Sequence, residues 1–194
     1  MNRWLTIPVS IWVSVSALYI ATDVFNDYYY EKHNLVAEVE TEEVVINDEE
    51  FDRIVENDYQ EQVQCLAINI YHEARSDSRL GQEAVGLVTM NRVYDTRYPD
   101  TVCDVVYQAH VDRNGNPIRN KCQFSWYCDG KRDDYRDVEA FNKIYALSEE
   151  IYGTYHKIRD FTDGAVMYHA SYVKPYWASH YAKTSRIESH IFYK

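Results

Sequence analysis

The sequence predicts an α+β fold, a helix-dominated domain with a small antiparallel β-sheet. Three observations carry that prediction. Apolar residues recur at helical spacing in long segments between positions 60 and 155. A dense run of turn residues, Asp112-Arg113-Asn114-Gly115-Asn116-Pro117, interrupts them. Two short β-rich segments, 165–170 and 186–193, close the chain.

The folded domain is expected over 60–194, beginning with an amphipathic helix over 60–75. Val63, Ala67, Ile70 and Ala74 form its apolar stripe, widened by Leu66 and Tyr71. Ser76-Asp77-Ser78 breaks this helix and supplies capping side chains for the next, Arg79 to Tyr94, whose stripe runs through Leu80, Ala84, Leu87, Val88 and Asn91. The two make a helical hairpin. Tyr98-Pro99-Asp100-Thr101 reads as a loop, with Asp100 or Thr101 capping a short helix through Gln108. Asn114-Gly115 favours a tight hairpin, so a short β excursion is expected around it. Phe141, Ile144, Leu147, Ile151 and Tyr155 mark another amphipathic helix over 134–155. The two closing strands flank an aromatic loop with Tyr172, Pro175, Tyr176 and Trp177.

Two segments precede the domain. Trp4 to Ala21 is an 18-residue stretch without a charged side chain, preceded by Arg3, so 1–24 is expected to be a signal anchor or transmembrane segment. A cleaved signal peptide, cut after Ala17 or Ala21, is the competing reading. Either one implies export of the rest of the chain. Residues 25–59 read as an acidic linker, with at most a short helix near Phe51 to Val55. Between Glu31 and Glu61 lie 12 acidic residues against Lys32 and Arg53. The net charge of -11 therefore belongs almost entirely to the linker, because 62–194 carries 17 residues of each sign. No basic stripe is present to bind nucleic acid.

Cys65, Cys103, Cys122 and Cys128 allow two disulfides in three pairings in an exported domain. Metal binding and buried thiols are the alternatives. No CxxC pair occurs, so zinc-ribbon spacing is missing. His72-Glu73 would open a metalloprotease motif only with a second histidine at position 76, which is Ser. No metal or cofactor is expected. The 19 tyrosines suit either an aromatic-rich core or a surface that stacks on sugar rings.

Glu73 follows Ile70 by three residues, which sets its carboxyl on the edge of the core-facing stripe. Desolvation there raises a carboxyl's pKa, and the C-terminal end of a helix dipole acts in the same direction. Such an acid can donate a proton near neutral pH. An ordinary glutamate bonded to Arg75 or Arg79 has the same spacing.

At Cys65-Leu-Ala-Ile-Asn-Ile-Tyr-His-Glu-Ala-Arg75, Gly81-Gln-Glu-Ala-Val85 and Asn91-Arg-Val93 the chain resembles the SleB-type cell wall hydrolases. Further matches are Tyr98 to Cys103, Val105-Val-Tyr-Gln108 and Cys122-Gln-Phe-Ser-Trp126. Tyr168-His169-Ala170, Tyr172, Pro175-Tyr176-Trp177 and His190-Ile-Phe-Tyr193 complete the series, which covers about 62–193 in the family's order. One departure is visible. The family commonly continues Glu-Ala-Arg with Gly-Glu, whereas Ser76-Asp77 stands here, keeping the acid but losing the glycine's backbone freedom.

The resemblance implies a lysozyme-like catalytic domain that cleaves peptidoglycan glycan strands between N-acetylmuramic acid and N-acetylglucosamine, as a lytic transglycosylase with Glu73 as acid and base. A hydrolytic muramidase needs a second carboxylate, for which Asp77, Asp129 and Asp133 are the candidates. Gln123, Ser125, Trp126, Tyr168, His169, Tyr172 and Trp177 are the candidate substrate-binding residues. Phe124 and Trp126 suit a core anchor equally well, and His169 suits a structural strand histidine.

The expected partners are the glycan strand and, through the N-terminal segment, the membrane; the protein is expected to be a monomer. Its setting is read as phage-mediated host lysis, anchored in the inner membrane or released into the host periplasm. A bacterial envelope-remodelling or spore-type enzyme is the alternative. Two rival classes stand beside these. One is a non-catalytic peptidoglycan-binding protein. The other is an amidase or peptidase, which would need zinc ligands or a nucleophilic pair such as Cys128 and His169.

Overall fold

The computed structural model describes residues 47–194. The expected membrane segment, 1–24, and most of the expected linker lie outside them. Among the described residues no helix is long and apolar enough to cross a membrane. The chain parts into two compact units, Met1–Tyr59 and Gln60–Lys194.

Helix α1 runs over Asp48–Ala74, so it starts well before the expected position 60. Local chemistry explains the early start. The Asn47 side chain accepts from the Glu50 backbone N–H at 2.8 Å, a helix cap. Asp48, Glu49 and Glu50 fill the first turn, where the helix dipole favours negative charge. The acidic segment expected to be a linker with at most a short helix near Phe51 to Val55 is, from Asp48 onward, the N-terminal part of this long helix.

In the second unit, α2 spans Arg79–Val93 with Ser78 at its N-cap position. The Ser78 hydroxyl does not cap the helix; it donates to the Glu188 carboxylate. Leu80, expected on the apolar stripe, is exposed. Helix α3, Val102–Val106, is capped by the Thr101 hydroxyl, which accepts from the Asp104 N–H at 3.1 Å. Strands β1 (Ala109–Val111) and β2 (Pro117–Cys122) form an antiparallel hairpin across the Asn-Gly turn. A 3-10 turn at Ser125–Cys128 comes next. Helix α4 covers Val138–Thr154, later than the expected start at 134, because Asp137 caps it through the Ala140 N–H at 3.0 Å.

The C-terminal sheet has three strands rather than two. β3 (Met167–Ala170), β4 (Lys183–Ile187) and β5 (His190–Tyr193) are antiparallel in the order β3-β5-β4. The expected single strand over 186–193 breaks at Glu188, which takes a left-handed φ of 48° to turn the chain.

The core lies where α1, α2 and α4 meet, filled by Leu66, Ile70, Leu87, Met90, Ile144 and Ile151, all essentially inaccessible. Each such side chain contributes about 1.5–3 kcal/mol of apolar burial. Gly86 on α2 is a point of close approach: a Cβ there would lie 2.6 Å from Ile151 Cδ1 and 3.0 Å from Ile70 Cδ1. One face of the sheet packs on α2 through Phe192 and Ile187 against Ala84 and Val88.

Two buried polar side chains on α2 fix the entry to β3. Asn91 donates to the Ala165 carbonyl at 2.9 Å and accepts from the Tyr155 hydroxyl at 2.5 Å. Arg92 donates through Nε to the Val166 carbonyl at 2.7 Å. Burying these groups would be costly without such partners. Together they set the register at which β3 passes the end of α1.

Candidate active site

Glu73 sits in the last turn of α1, half-buried, at the edge of a cleft of about 720 Å³. The Tyr168 hydroxyl, on β3, donates to Glu73 Oε2 at 3.1 Å. Burial raises the Glu73 pKa above the ordinary carboxylate value; the Tyr168 hydrogen bond and the nearby Arg92 guanidinium pull it partly back. Glu73 is therefore not the ordinary surface glutamate its spacing allowed. Arg79 pairs instead with Glu150, and Arg75 lies over the Tyr71 ring.

Tyr168 is held in turn. Its ring meets His190 edge-on at 5.3 Å and Phe192 at 5.7 Å, and burial beside Glu73 pushes its own pKa well above the ordinary phenol value. His190 is almost buried and lies 3.2 Å from Asp77 Oδ2 through Nδ1.

The cleft opens between the end of α1 and the segment 125–137. Trp126 forms one wall. Its ring stacks on His72 with centroids 4.6 Å apart, and its indole N–H donates to Asn69 Oδ1 at 3.0 Å. Asn69 is buried and bonds onward to the Thr89 hydroxyl at 3.1 Å. His72 Nε2 also lies 3.2 Å from the Asp133 carbonyl, tying the far wall to α1. A disulfide, Cys122–Cys128, closes the short loop that carries Ser125 and Trp126. A second, Cys65–Cys103, joins α1 to α3, leaving no free cysteine. That removes the thiol and cysteine-metal readings, and a Cys128 nucleophile with them. Among the described residues no group of three or more His, Cys, Asp or Glu side chains is arranged to hold a metal ion.

The structure brings together four of the residues singled out from the sequence. Glu73, Ser125 and Trp126 line the cleft, and Tyr168 joins it through Glu73. Gln123 is exposed on the loop just after β2 and does not line the cleft. His169, next along the strand, points to the opposite sheet face, as strand alternation requires. There its Nε2 lies 2.9 Å from the Tyr193 hydroxyl, and its ring packs against Tyr193 and Trp177. Tyr172 is 86% exposed on the loop after β3.

Of the three candidate second carboxylates, Asp129 and Asp133 line the cleft, and Asp77 faces His190 instead. Burial raises Asp133 above its ordinary value, whereas hydrogen bonds to Lys131 hold Asp129 below it.

Sequence reasoning gave no site role to Asn69, His72 or Arg92. Asn69 and Arg92 nonetheless carry a signal. Asn69 lies beside the apolar stripe of α1, and Arg92 follows Leu87 and Val88 onto the buried face of α2. A buried polar group in such a place asks for a specific partner.

The Cell Wall Hydrolase family profile matches residues 76–193. The match starts three residues after Glu73, so the case for that residue rests on its surroundings. The chain is 40% identical over 58 residues to the spore cortex-lytic enzyme of Bacillus cereus, a match spanning 29% of this chain and only 22% of that enzyme. The crystal structure of the catalytic domain of the Bacillus cereus SleB protein aligns with a TM-score of 0.49 and 25% identity, over 70% of this chain and 91% of that one. The catalytic domain of the germination-specific lytic transglycosylase SleB from Bacillus anthracis gives 0.49 and 26%, over 69% and 93%. With the profile covering more than half of the sequence, this chain belongs to the SleB-type cell wall hydrolase family.

Proposed function

We propose that the chain cleaves the glycan strand of peptidoglycan between N-acetylmuramic acid and N-acetylglucosamine, as a lytic transglycosylase with Glu73 as both acid and base. The observation that carries this reading is the half-buried Glu73 carboxyl, raised by burial and held by the Tyr168 hydroxyl at the edge of an open cleft. Membership of a cell wall hydrolase family supplies the substrate class.

The chemistry needs one carboxyl. Protonated Glu73 gives its proton to the glycosidic oxygen as the bond from that oxygen to the muramyl C1 breaks. The Glu73 carboxylate left behind takes the proton of the muramyl C6 hydroxyl, whose oxygen bonds to C1. The products are a 1,6-anhydro-muramyl end and a free hydroxyl on the departing sugar, and Glu73 is protonated again. Ser125 is exposed at the cleft and offers a hydroxyl to a sugar, while Trp126, buried and stacked on His72, backs the wall that carries it.

Hydrolysis is the second reading, favoured by one observation: Asp133 shares the cleft with Glu73. A carboxylate there would activate water in place of the C6 hydroxyl. Mass spectrometry of muropeptides released from purified sacculi separates the two. Anhydro-muramyl ends support transglycosylation, reducing ends support hydrolysis, and freed peptide stems would remove both.

The site of action is outside the cytoplasm, a reading supported by the two disulfides and by the uncharged stretch Trp4 to Ala21 behind Arg3. Host lysis by a phage suits a small single-module enzyme held by such a segment. The match to a spore cortex-lytic enzyme favours a bacterial wall-remodelling role. Membrane fractionation of the full chain, with size analysis, tests the anchor.

A further inference from the structure

We infer that Arg92 and Tyr168 form a positioning pair that holds the Glu73 carboxylate during the half of the cycle in which it acts as base. The inference rests on the reading of Glu73 as the acid and base, and adds to it the groups that let one buried carboxyl serve in both states.

The single-carboxyl cycle makes opposite demands on Glu73. It must carry a proton at the start, which burial and the C-terminal end of α1 both favour. Once the proton has gone to the leaving group, the same surroundings disfavour the anion. Something must offset that cost without abolishing the protonated form. Two groups on different elements serve this purpose, Tyr168 by direct hydrogen bond and the Arg92 guanidinium by its charge within electrostatic reach. Tyr168 donates a hydrogen bond at 3.1 Å, with its ring fixed between His190 and Phe192.

Arg92 is only 5% exposed, and its guanidinium lies 4.8 Å above the Phe124 ring and 5.4 Å from the Tyr98 ring. Nε is committed to the Val166 carbonyl, two residues before Tyr168. Nη1 has no hydrogen-bond partner among the described residues. A buried cation calls for a counter-charge, and the ionisable groups in electrostatic reach of this one are Glu73, Tyr168 and Tyr98. Ionised Glu73 is the only carboxylate among them.

Other charged or titratable groups line the same cleft: His72 on α1, Arg75 just after it, and Asp129, Lys131, Arg132, Asp133, Asp134, Arg136 and Asp137 across from them, while Asp77, in the joint before α2, acts on Tyr168. Besides burial, Tyr168 and Arg92 are the influences that set the titration of Glu73 itself.

The test is the pH profile of kcat/KM on solubilised glycan strands for Tyr168→Phe, Arg92→Gln and Arg92→Lys, with folding checked by circular dichroism. A general acid works while protonated, so Glu73 sets the alkaline limb. Losing the hydroxyl or the cation raises the Glu73 pKa and moves that limb up by about one pH unit. The carboxylate then forms less readily, and kcat falls roughly ten- to a hundred-fold at the optimum with KM little changed, the signature of a group acting mainly beyond the ground state. Arg92→Lys keeps the charge, and its limb should stay near the wild-type position. If Arg92→Gln fails to fold, Tyr168→Phe, which removes one oxygen, carries the test alone. An unmoved alkaline limb in folded Tyr168→Phe or Arg92→Gln overturns the inference, as does a rise in KM at constant kcat. Glu73→Gln run alongside keeps the failures apart: an active Glu73→Gln removes the acid itself, whereas an inactive one with unmoved limbs removes only the pair.

Discussion

Tyr168 and Glu73 meet across 95 positions of sequence, the phenol hydroxyl on β3 donating to Oε2 at the end of α1 at 3.1 Å. The contact depends on long-range anchors. Asn91 and Arg92 fix the start of β3 to α2, and α2 is locked to α1 through the Asn69–Thr89 bond and the close approach at Gly86. The geometry of the carboxyl is thus set by the core of the domain rather than by the cleft alone.

A raised carboxyl pKa is also a statement about stability. Below the unfolded-state pKa both states hold the proton, and Glu73 costs nothing. As pH rises past that value the unfolded chain ionises first, so stability falls until the folded-state pKa is reached and then levels off. Glu73→Gln removes this loss. The variant is expected to match the wild type in mild acid, below the ordinary carboxylate pKa, and to exceed its thermal midpoint near neutral pH. A midpoint below the wild type at neutral pH would contradict it.

Trp126 holds the cleft wall by a stack on His72 and a bond to buried Asn69. Trp126→Phe keeps a ring but leaves Asn69 Oδ1 without its donor, at a cost of about 1–3 kcal/mol. Denaturant unfolding checks this, and an unchanged midpoint would show that Asn69 finds another donor.

The two disulfides should differ in their contributions. The Cys65–Cys103 bridge closes a separation of 38 residues and Cys122–Cys128 one of 6. Loop-closure entropy gives roughly 4 kcal/mol for the first and roughly 2 kcal/mol for the second. Paired Cys→Ser variants should therefore lose stability in that order. The short bridge should matter more for activity, because its loop carries Ser125 and Trp126. Equal activity after its removal would show that the stack on His72 suffices to hold the wall.

Asp129→Asn and Asp133→Asn separate one-carboxyl from two-carboxyl chemistry. Transglycosylation predicts that each retains activity within about tenfold of wild type, since neither takes part in acid–base transfer. Loss of roughly a thousandfold or more at Asp133 with KM unchanged would identify it as the second carboxylate.

Much of this arrangement is legible in the sequence, where local periodicity carries the information. The edge position of Glu73 comes from the stripe of Val63, Ala67 and Ile70, and the hairpin at Asn114-Gly115 from its turn chemistry. The partners of Glu73 are less legible. Tyr168 is marked by the family motif as a sugar-binding candidate, but its bond to Glu73 is not legible, because nothing local encodes a contact made through the sheet. Arg92 offers a clearer sign, a charge on a buried helix face.

The break at Glu188 is hidden, since the turn uses a left-handed glutamate where glycine or asparagine would announce it. The start of α1 is obscured for a different reason. Acidic density reads as a solvated chain, although Asn47 and the three acids after it are also the pattern of a capped helix start.

The acid–base role of Glu73 is tested by digestion of purified sacculi with Glu73→Gln, with released muropeptides followed by mass spectrometry beside the wild type. The wild type should release anhydro-muramyl products, and a variant that is folded and still binds sacculi should release none above background. Wild-type-like release by Glu73→Gln would contradict that role and place the chemistry on another residue.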